Sequence, residues 1–250
     1  MITESKKIIF KTASVVFDDE LALKLAKEKK YDSLTILSYN DLDLAGFSET
    51  RKKTPVIHLD KKTPEDILAG FNSTVRNEVR KTFKINELDF VEGPQYFDDA
   101  YELYKKFEYG QGRTPFSKKE MRAFRPFVAY FKKQPVSLMF CYDIFPFLRA
   151  RSICSLRMET EDKEMYRMIA YASRRLVFEI CRYGWERGYK WFDLGSINLE
   201  SANKSSIALF KSFFKGEIIE EHTYFYKTAL FHFFEKFVKI KLVIFNLFKI

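Results

Sequence analysis

The sequence predicts a mixed α/β or α+β fold, and three observations support this class. Apolar runs typical of strands alternate along the chain with helical patterns, which is the order expected when helices pack on a sheet. Two of these runs, 136–143 and 150–158, are joined by a turn through Pro146 and resemble a hairpin, so the sheet is expected to be mixed. At 250 residues, the chain is long enough to bury a large core.

Residues 1–64 are expected to form a small N-terminal α/β portion. Asp18 or Asp19 offers a carboxylate that can cap a helix ending near Lys30. The apolar runs in this portion predict strands at residues 7–10, 14–17, 33–39 and 56–59.

Residues 65–228 are expected to form the larger domain. Pro64 begins a helical region, and Asn72 or Ser73 can cap a second helix that is basic. Residues 118–131 are expected to be helical, with an interruption at Pro126. The remaining elements are expected as a strand at 90–92, a helix at 97–109, the hairpin strands, a helix at 164–184, a strand at 189–194 and a last strand at 223–226.

The run from Gly188 to Glu217 carries the strongest chemical signal in the chain. Asp193 lies inside an apolar strand, where a charged side chain needs a partner or a function. Ser196 and Asn198 follow just beyond the strand end, where α/β folds tend to bind ligands. This run is therefore the first candidate for a functional site.

The charge balance favours an anionic partner. The 43 basic and 34 acidic residues give a formal net charge of +9, which suits a phosphate-bearing substrate, nucleic acid or a membrane surface. The three cysteines have no CxxC spacing, which argues against a disulfide framework and fits a reducing compartment. No signal peptide and no apolar stretch of about 18–20 residues is visible, so the cytoplasm is the expected location.

Several common functional motifs are missing from the sequence. We find no P-loop, no Rossmann glycine fingerprint and no G-x-S-x-G elbow. His58, His222 and His232 form no metal-binding spacing with the cysteines, so no metal site is expected. Cys154 is expected to be a buried, inert thiol and not a nucleophile.

Three stretches together resemble the GNAT acyltransferase superfamily, and within it the Fem-type aminoacyltransferases. They are a basic helix of the form S-x-x-R-x-x-x-R-K at 73–81, a long helix followed by G-Y-K-x-F-D-L-G at 188–195, and F-K-x-x-F-x-G-E at 210–217. The resemblance implies a GNAT-like mixed sheet that is splayed in the middle and holds a thioester or ester donor. It also implies transfer of an acyl or aminoacyl group to an amine, often on cell-envelope precursors, peptidoglycan or amino sugars.

The sequence departs from the GNAT pattern at the expected donor site. The pyrophosphate loop Q/R-x-x-G-x-G/A is not visible, and the corresponding stretch at 167–173 has no glycine to let backbone N–H groups approach phosphate. Acyl-CoA therefore fits less well, although Tyr171, Ser173 and Arg174 are its expected contacts. Aminoacyl-tRNA is the alternative donor, and the net charge of +9 suits it as well as a sugar-nucleotide acceptor.

Acyl transfer to an amine needs a proton acceptor and charge stabilisation for the oxyanion. The resemblance implies that Lys211 lies beside the reacting centre and contacts the oxyanion or a phosphate; the alternative is a solvated helix lysine. Asp193 is expected to orient the acceptor or act as a base, unless it is a structural carboxylate that caps the next loop. Glu159 is a further candidate base, and the alternative is an exposed residue at a strand end.

The basic helix supplies further candidates for substrate binding. Arg76 and Arg80 lie four residues apart on one helix face, and Lys81 follows them. Arginine matches phosphate oxygens in a bidentate manner, although a solvated helix face has the same pattern. The predicted substrate-binding set is completed by Ser196, Asn198 and Phe210.

Residues 229–250 form a third part, with an apolar stripe at helical spacing and lysines opposite it. Such a helix can lie on the inner face of an anionic membrane or pack on protein. Our sequence-based hypothesis is an N-acyltransferase or aminoacyltransferase that acts on an amine of a cell-envelope precursor. The alternative is a non-catalytic GNAT-like module that binds RNA or an anionic membrane.

Overall fold

The computed structural model describes residues 1–7, 9–60, 63–197, 205–235 and 237. Contacts divide the chain into two compact units. The first contains Met1–Lys53 and the described residues after Ile218, and the second is Thr54–Ile218. The sequence-based limits at 64/65 and 228/229 differ from these unit boundaries.

The described strands and helices alternate, as the sequence predicts. The strands are β1 (Ile2–Lys7), β2 (Phe10–Val16), β3 (Ser33–Ser38), β4 (Ser48–His58), β5 (Leu88–Glu92), β6 (Arg125–Phe131), β7 (Gln134–Ile144), β8 (Phe147–Ser155), β9 (Trp191–Asp193) and β10 (Glu217–Lys227). The helices are α1 (Asp19–Glu28), α2 (Pro64–Gly70), α3 (Ser73–Thr82), α4 (Phe97–Gly110), α5 (Lys118–Met121), α6 (Lys163–Glu186) and α7 (Ser205–Ser212).

The first unit is a small mixed sheet with one helix packed against it. β1 is antiparallel to β2, β2 is parallel to β3, and β3 is antiparallel to β10. Asp18 caps α1 by accepting the backbone N–H of Leu21, which confirms one of the two predicted caps. Val15, Ile36 and Tyr224 belong to the buried core of this unit.

The second unit has its strands in the order β4-β9-β8-β7-β6-β5. The β8/β9 pair is parallel, and the other neighbouring pairs are antiparallel. The mixed sheet and the β7/β8 hairpin that the sequence predicts are therefore confirmed.

Helices cover both faces of this sheet. On one face α2, α3, α6 and α7 bury the larger apolar cluster, which includes Phe71, Leu176 and Phe214. On the other face α4 and α5 bury a smaller cluster around Tyr104 and Met121.

The sheet opens between β8 and β9. The parallel ladder joins Phe147–Arg149 only to Trp191–Asp193, while β8 continues to Ser155. Arg151 is a bulge residue, because the register with β7 shifts from Ala150 to Ser152 across neighbouring partners. The resulting gap, called the split below, is the central splay that the family resemblance implies.

Two predicted elements are wrong. The expected strand at residues 7–10 is instead the turn between β1 and β2, since Lys7 pairs with Phe10 across the hairpin. Residues 118–131 do not form an interrupted helix, since α5 ends at Met121 and Arg125–Phe131 is the strand β6. Five residues of β6 are buried, and a short apolar run of this kind cannot be told from a buried helix by its periodicity. Pro126 opposes a helix, because it has no N–H to donate.

The C-terminal prediction lies mostly outside the described residues. The chain is helical at residues 229–235 and at Phe237, and the rest of the predicted amphipathic helix is not described. Among the described residues, no helix is both long enough and apolar enough to cross a membrane.

Candidate functional site

Asp193 is fully buried on β9 and is held from three directions. Its carboxylate accepts hydrogen bonds from the Thr54 hydroxyl and from the backbone N–H of Gly195, the latter at 2.6 Å. Arg149, which is only 6% exposed, forms an ion pair with the other carboxylate oxygen. The carboxylate thus links β4, β8 and the chain just after β9, and its contact with Gly195 is the loop-capping geometry of the structural alternative.

Lys211 lies on α7 with its ammonium at the split. The side chain is 6% exposed, and Nζ donates to the carbonyl oxygens of Gly195 and Ser196 at 2.8 and 2.9 Å. It is therefore not a solvated helix lysine. Two carbonyl acceptors compensate the burial of the charge and fix its position.

Gly195 makes this approach possible. Its φ is +80°, a value that favours glycine. A Cβ at this position would lie 3.1 Å from the Ala150 carbonyl oxygen on β8 and 3.5 Å from Lys211 Nζ. The backbone after β9 consequently passes close to β8 and to the ammonium.

The other predicted residues near the split occupy different positions. Arg149 Nη2 donates to Ser196 Oγ at 3.3 Å, so Ser196 belongs to the same polar group. Phe210 is half-buried on α7 and packs on the larger core. Its ring meets that of Phe214 edge-to-face, with 5.1 Å between the ring centroids. Asn198 lies outside the described residues. The structure thus brings together Asp193, Ser196 and Lys211.

Sequence reasoning missed Arg149 and Thr54. Arg149 stands between the apolar residues Leu148 and Ala150, and this is the same signal that drew attention to Asp193. A buried carboxylate in one strand and a buried arginine in another could have been matched as partners. Thr54 carries no such signal, because a threonine is ordinary in a strand.

The three candidate residues on the basic helix α3 have different surroundings. Arg76 Nη1 donates to the carbonyl oxygens of Ala69 and Phe71 at 3.0 and 2.7 Å, and so satisfies the C-terminal end of α2. Arg80 and Lys81 are exposed. Of the three candidates, these two face solvent.

The three predicted cofactor contacts lie in the interior of a helix. Tyr171, Ser173 and Arg174 lie inside α6, where backbone N–H groups are bonded along the helix and do not face a ligand. The Ser173 hydroxyl bonds Ile169 O and Ser137 Oγ at 2.8 and 2.9 Å. Arg174 forms an ion pair with Glu78 of α3.

The N-terminus of α6 is acidic. Asp162 caps it by accepting the N–H of Glu164 at 2.8 Å, and Glu161 precedes the cap. A helix N-terminus binds anions through its free N–H groups and its positive dipole end. Here a carboxylate already occupies that position, and two more acidic residues lie beside it in sequence.

Glu159 ends a 3-10 turn after β8 and forms an ion pair with a lysine. Lys106 Nζ of α4 lies 2.7 Å from its carboxylate. The side chain is 30% exposed, so it is a partly solvated ion pair.

Cys154 is buried, and His222 lies in an acidic cluster of the first unit. Cys154 is 1% exposed, and burial, followed by the charge of Glu108, raises the pKa of its thiol, so the reactive thiolate is disfavoured. In the first unit, Asp41, Glu49 and His222 have ligand atoms within 4.8 Å of one another, a grouping that a search for His–Cys spacing does not find. Arg51 bonds both carboxylates at 2.9 Å and balances their charge.

Comparisons with known proteins give structural matches only. No family model matches the chain, and no curated protein matches it. The structure is similar to FemX, with a TM-score of 0.63 and 11% identity over 92% of this chain and 84% of FemX. It is also similar to the C-terminal domain of a lysylphosphatidylglycerol synthetase from Agrobacterium fabrum, with a TM-score of 0.58 and 12% identity over 91% of this chain and 81% of that one.

A third similar structure is L-PGS from Bacillus licheniformis, with a TM-score of 0.54 and 13% identity over 91% of this chain and 81% of that one. At these identities the likeness shows a shared fold. The Fem-type, GNAT-like architecture implied by the sequence resemblance is therefore confirmed.

Proposed function

We propose that this protein is an N-acyltransferase that transfers an acyl or aminoacyl group to an amine. The observation that carries the proposal is the position of Lys211, whose ammonium lies at the split between β8 and β9. The fold shared with FemX supports it. Asp193 and Arg149 support it further, because they fix the backbone that Lys211 contacts.

The reaction is direct attack of the acceptor amine on the ester or thioester carbonyl of the bound donor. A C–N bond forms, the C–O or C–S bond breaks, and the leaving oxygen or sulfur takes its electron pair. The amine gives up one proton to a base or to water. A fixed positive charge beside the carbonyl stabilises the oxyanion that develops, and Lys211 is the group placed to supply it.

The donor we favour is an aminoacyl ester of tRNA. The acidic cap of α6, with Glu161, Asp162 and Glu164, is unfavourable for the pyrophosphate of an acyl-CoA. Arg80 and Lys81 are exposed on α3 and suit contacts with an RNA backbone. The acceptor we favour is an amine on a cell-envelope precursor, in line with the Fem-type resemblance.

The decisive test is a transfer assay with acyl-CoAs and aminoacyl-tRNAs as donors and amino sugars and nucleotide-sugar peptides as acceptors. Lys211→Ala should lower turnover about 100-fold or more, the size of loss seen when one oxyanion-stabilising group is removed. Lys215→Ala is the matched control, since Lys215 is an exposed lysine just after α7, and it should keep wild-type turnover. Thermal unfolding of both variants checks that they are folded. A fully active Lys211→Ala variant would contradict the role proposed for Lys211.

A second candidate is a non-catalytic module that binds an anionic membrane through the C-terminal segment. Leu230 and Phe233 are 63% and 70% exposed, which is unusual for large apolar side chains. Membrane contact by residues 229–250 would place the protein at the inner face of the membrane. If no donor supports transfer, while anionic liposomes are bound with a steep salt dependence, this candidate replaces the enzyme.

A further inference from the structure

The bulge residue Arg151 is held by aromatic rings. Its guanidinium carbon lies 4.8 Å from the ring centre of Phe116, in the loop before α5, and 5.7 Å from that of Phe124. The side chain is half-buried. Ring faces attract a cation and fix its orientation, but they do not neutralise its charge.

Arg151 differs in this respect from the arginines around it. Arg149 is paired with Asp193, and Arg125 is paired with Glu92 and Asp143. Among the residues that the structure describes, Arg151 has neither a carboxylate within ion-pair distance nor an oxygen acceptor for its N–H groups. None of its nitrogens is among the buried, unsatisfied side-chain atoms of the described residues, so its N–H groups are open to solvent and accessible to an anion.

Further aromatic rings lie on the same face of the sheet. Phe124 contacts Tyr142 edge-on at 4.8 Å between centroids, and Tyr142 stands opposite Arg149 in the β7/β8 ladder. Phe147 and Trp191 stack at 4.4 Å between centroids, and by strand alternation they share the face of Arg149 and Asp193. We define the aromatic face by these five rings: Phe116, Phe124, Tyr142, Phe147 and Trp191.

The aromatic face adjoins the split. Arg151 directly follows Ala150, whose carbonyl oxygen faces Gly195 and, beyond it, Lys211. An acceptor amine must come within about 3–3.5 Å of the donor carbonyl to react. A molecule anchored by Arg151 on the aromatic face would be held one residue along β8 from the segment that approaches Gly195.

We infer that Arg151 and the aromatic face form the binding site for the acceptor, and that this acceptor carries a ring next to a phosphate or carboxylate group. Arginine binds either anion through paired N–H donors. The flat faces of the aromatic side chains suit a sugar ring or a base that stacks on them. The assignment of the bound molecule as an acceptor depends on the proposed transferase function. The binding site itself can be tested without any transfer reaction.

The test is a binding titration followed by tryptophan fluorescence. The chain has two tryptophans, so a Trp185→Phe background leaves Trp191, on the aromatic face, as the only reporter. Three probes separate the chemistry: glucose 6-phosphate carries a phosphate, glucuronate carries a carboxylate, and glucose is neutral. We expect at least one anionic sugar to bind tenfold or more tightly than glucose, and the tighter of the two identifies the anion class.

Substitution then identifies Arg151 as the cause. Arg151→Leu should weaken binding of the anionic sugar about tenfold or more and leave glucose unchanged, while Arg151→Lys should lose less. Arg122→Leu is the matched control, because Arg122 also stacks on a ring, at 5.5 Å from Phe97, but lies at the end of α5. If Arg151→Leu does not fold, the comparison uses Arg151→Lys and Arg151→Gln.

Three results would overturn the inference. They are equal binding of all three sugars by the wild type, unchanged anion binding in a folded Arg151 variant, and an equal loss in Arg122→Leu. A negative transfer assay contradicts the proposed transferase function only. Anion binding that depends on Arg151 can still be measured in that case.

Discussion

Among its described residues, the second unit contains two arginine–carboxylate pairs in which both side chains are buried, and the two pairs differ in what surrounds them. Arg149 and Asp193 come from neighbouring strands and meet a hydroxyl, a backbone N–H and Ser196 at the split. Arg175 and Glu179 lie four residues apart on α6. The Arg175 guanidinium is 3.4 Å from the ring centre of Phe83, and further rings surround it.

The difference separates a pair that belongs to the proposed site from a pair that only packs. The pair at the split joins three segments and gathers polar atoms beside Lys211, which is the arrangement that the proposed transferase requires. The pair on α6 is local and is enclosed mainly by apolar rings, as expected for a packing contact. Burial is the largest influence on the pKa of Arg175 and lowers it, because the charged guanidinium is shielded from water.

The largest effect is expected from breaking the pair at the split. Asp193→Asn keeps the shape of the side chain but leaves Arg149 buried without its counter-charge, which should reduce the free energy of unfolding by about 3–5 kcal/mol. Urea denaturation followed by circular dichroism measures this loss. The double variant Asp193→Asn with Arg149→Met should cost less than the sum of the single changes, because no lone charge remains.

The prediction is contradicted if Asp193→Asn loses less than about 1 kcal/mol. The pair would then be weakly coupled to the fold, and the contrast with α6 would disappear. A stable but inactive Asp193→Asn would instead favour the base role that the sequence suggested for this carboxylate.

Sequence reasoning reached some parts of this arrangement and not others. Asp193 could be singled out because a charge inside an apolar strand needs a partner, and Lys211 came from the F-K pattern of the family resemblance. Their partners could not be found in this way. Arg149 lies 44 residues from Asp193 in sequence and Thr54 lies 139, and only the strand order brings them together.

The same limit applies to the fold. The helix α1, which has a side-chain cap, and the helix α4, which has a periodic apolar face, were predicted close to their observed bounds. The strand β6 was predicted as helix, because its pairing with β5 and β7 decides its conformation and cannot be seen in the run itself. The bulge at Arg151, which orients the proposed anion contact, also depends on pairing.

A second change tests the close backbone approach at the split. Gly195→Ala places a Cβ 3.1 Å from the Ala150 carbonyl oxygen at a φ of +80°, so we expect a loss of about 1–3 kcal/mol in unfolding free energy. Transfer activity should fall as well, since the carbonyl that Lys211 contacts would move. Gly188→Ala is the control, because its φ is +73° but nothing lies within 4 Å of its Cβ position. Equal effects in both variants would show that only backbone strain is being measured.

The smallest effect is expected from the pair on α6. Glu179→Gln removes the charge but keeps an oxygen acceptor for Arg175, which retains its ring contacts and its contact with the Thr82 hydroxyl at 3.3 Å. Glu179 also contacts Arg182, whose side chain is 51% exposed and can turn to water. We therefore expect a loss of about 1–2 kcal/mol in urea denaturation and unchanged turnover per folded molecule. A loss as large as that of Asp193→Asn would mean that burial alone sets the strength of both pairs, and the polar surroundings of the split would no longer distinguish it.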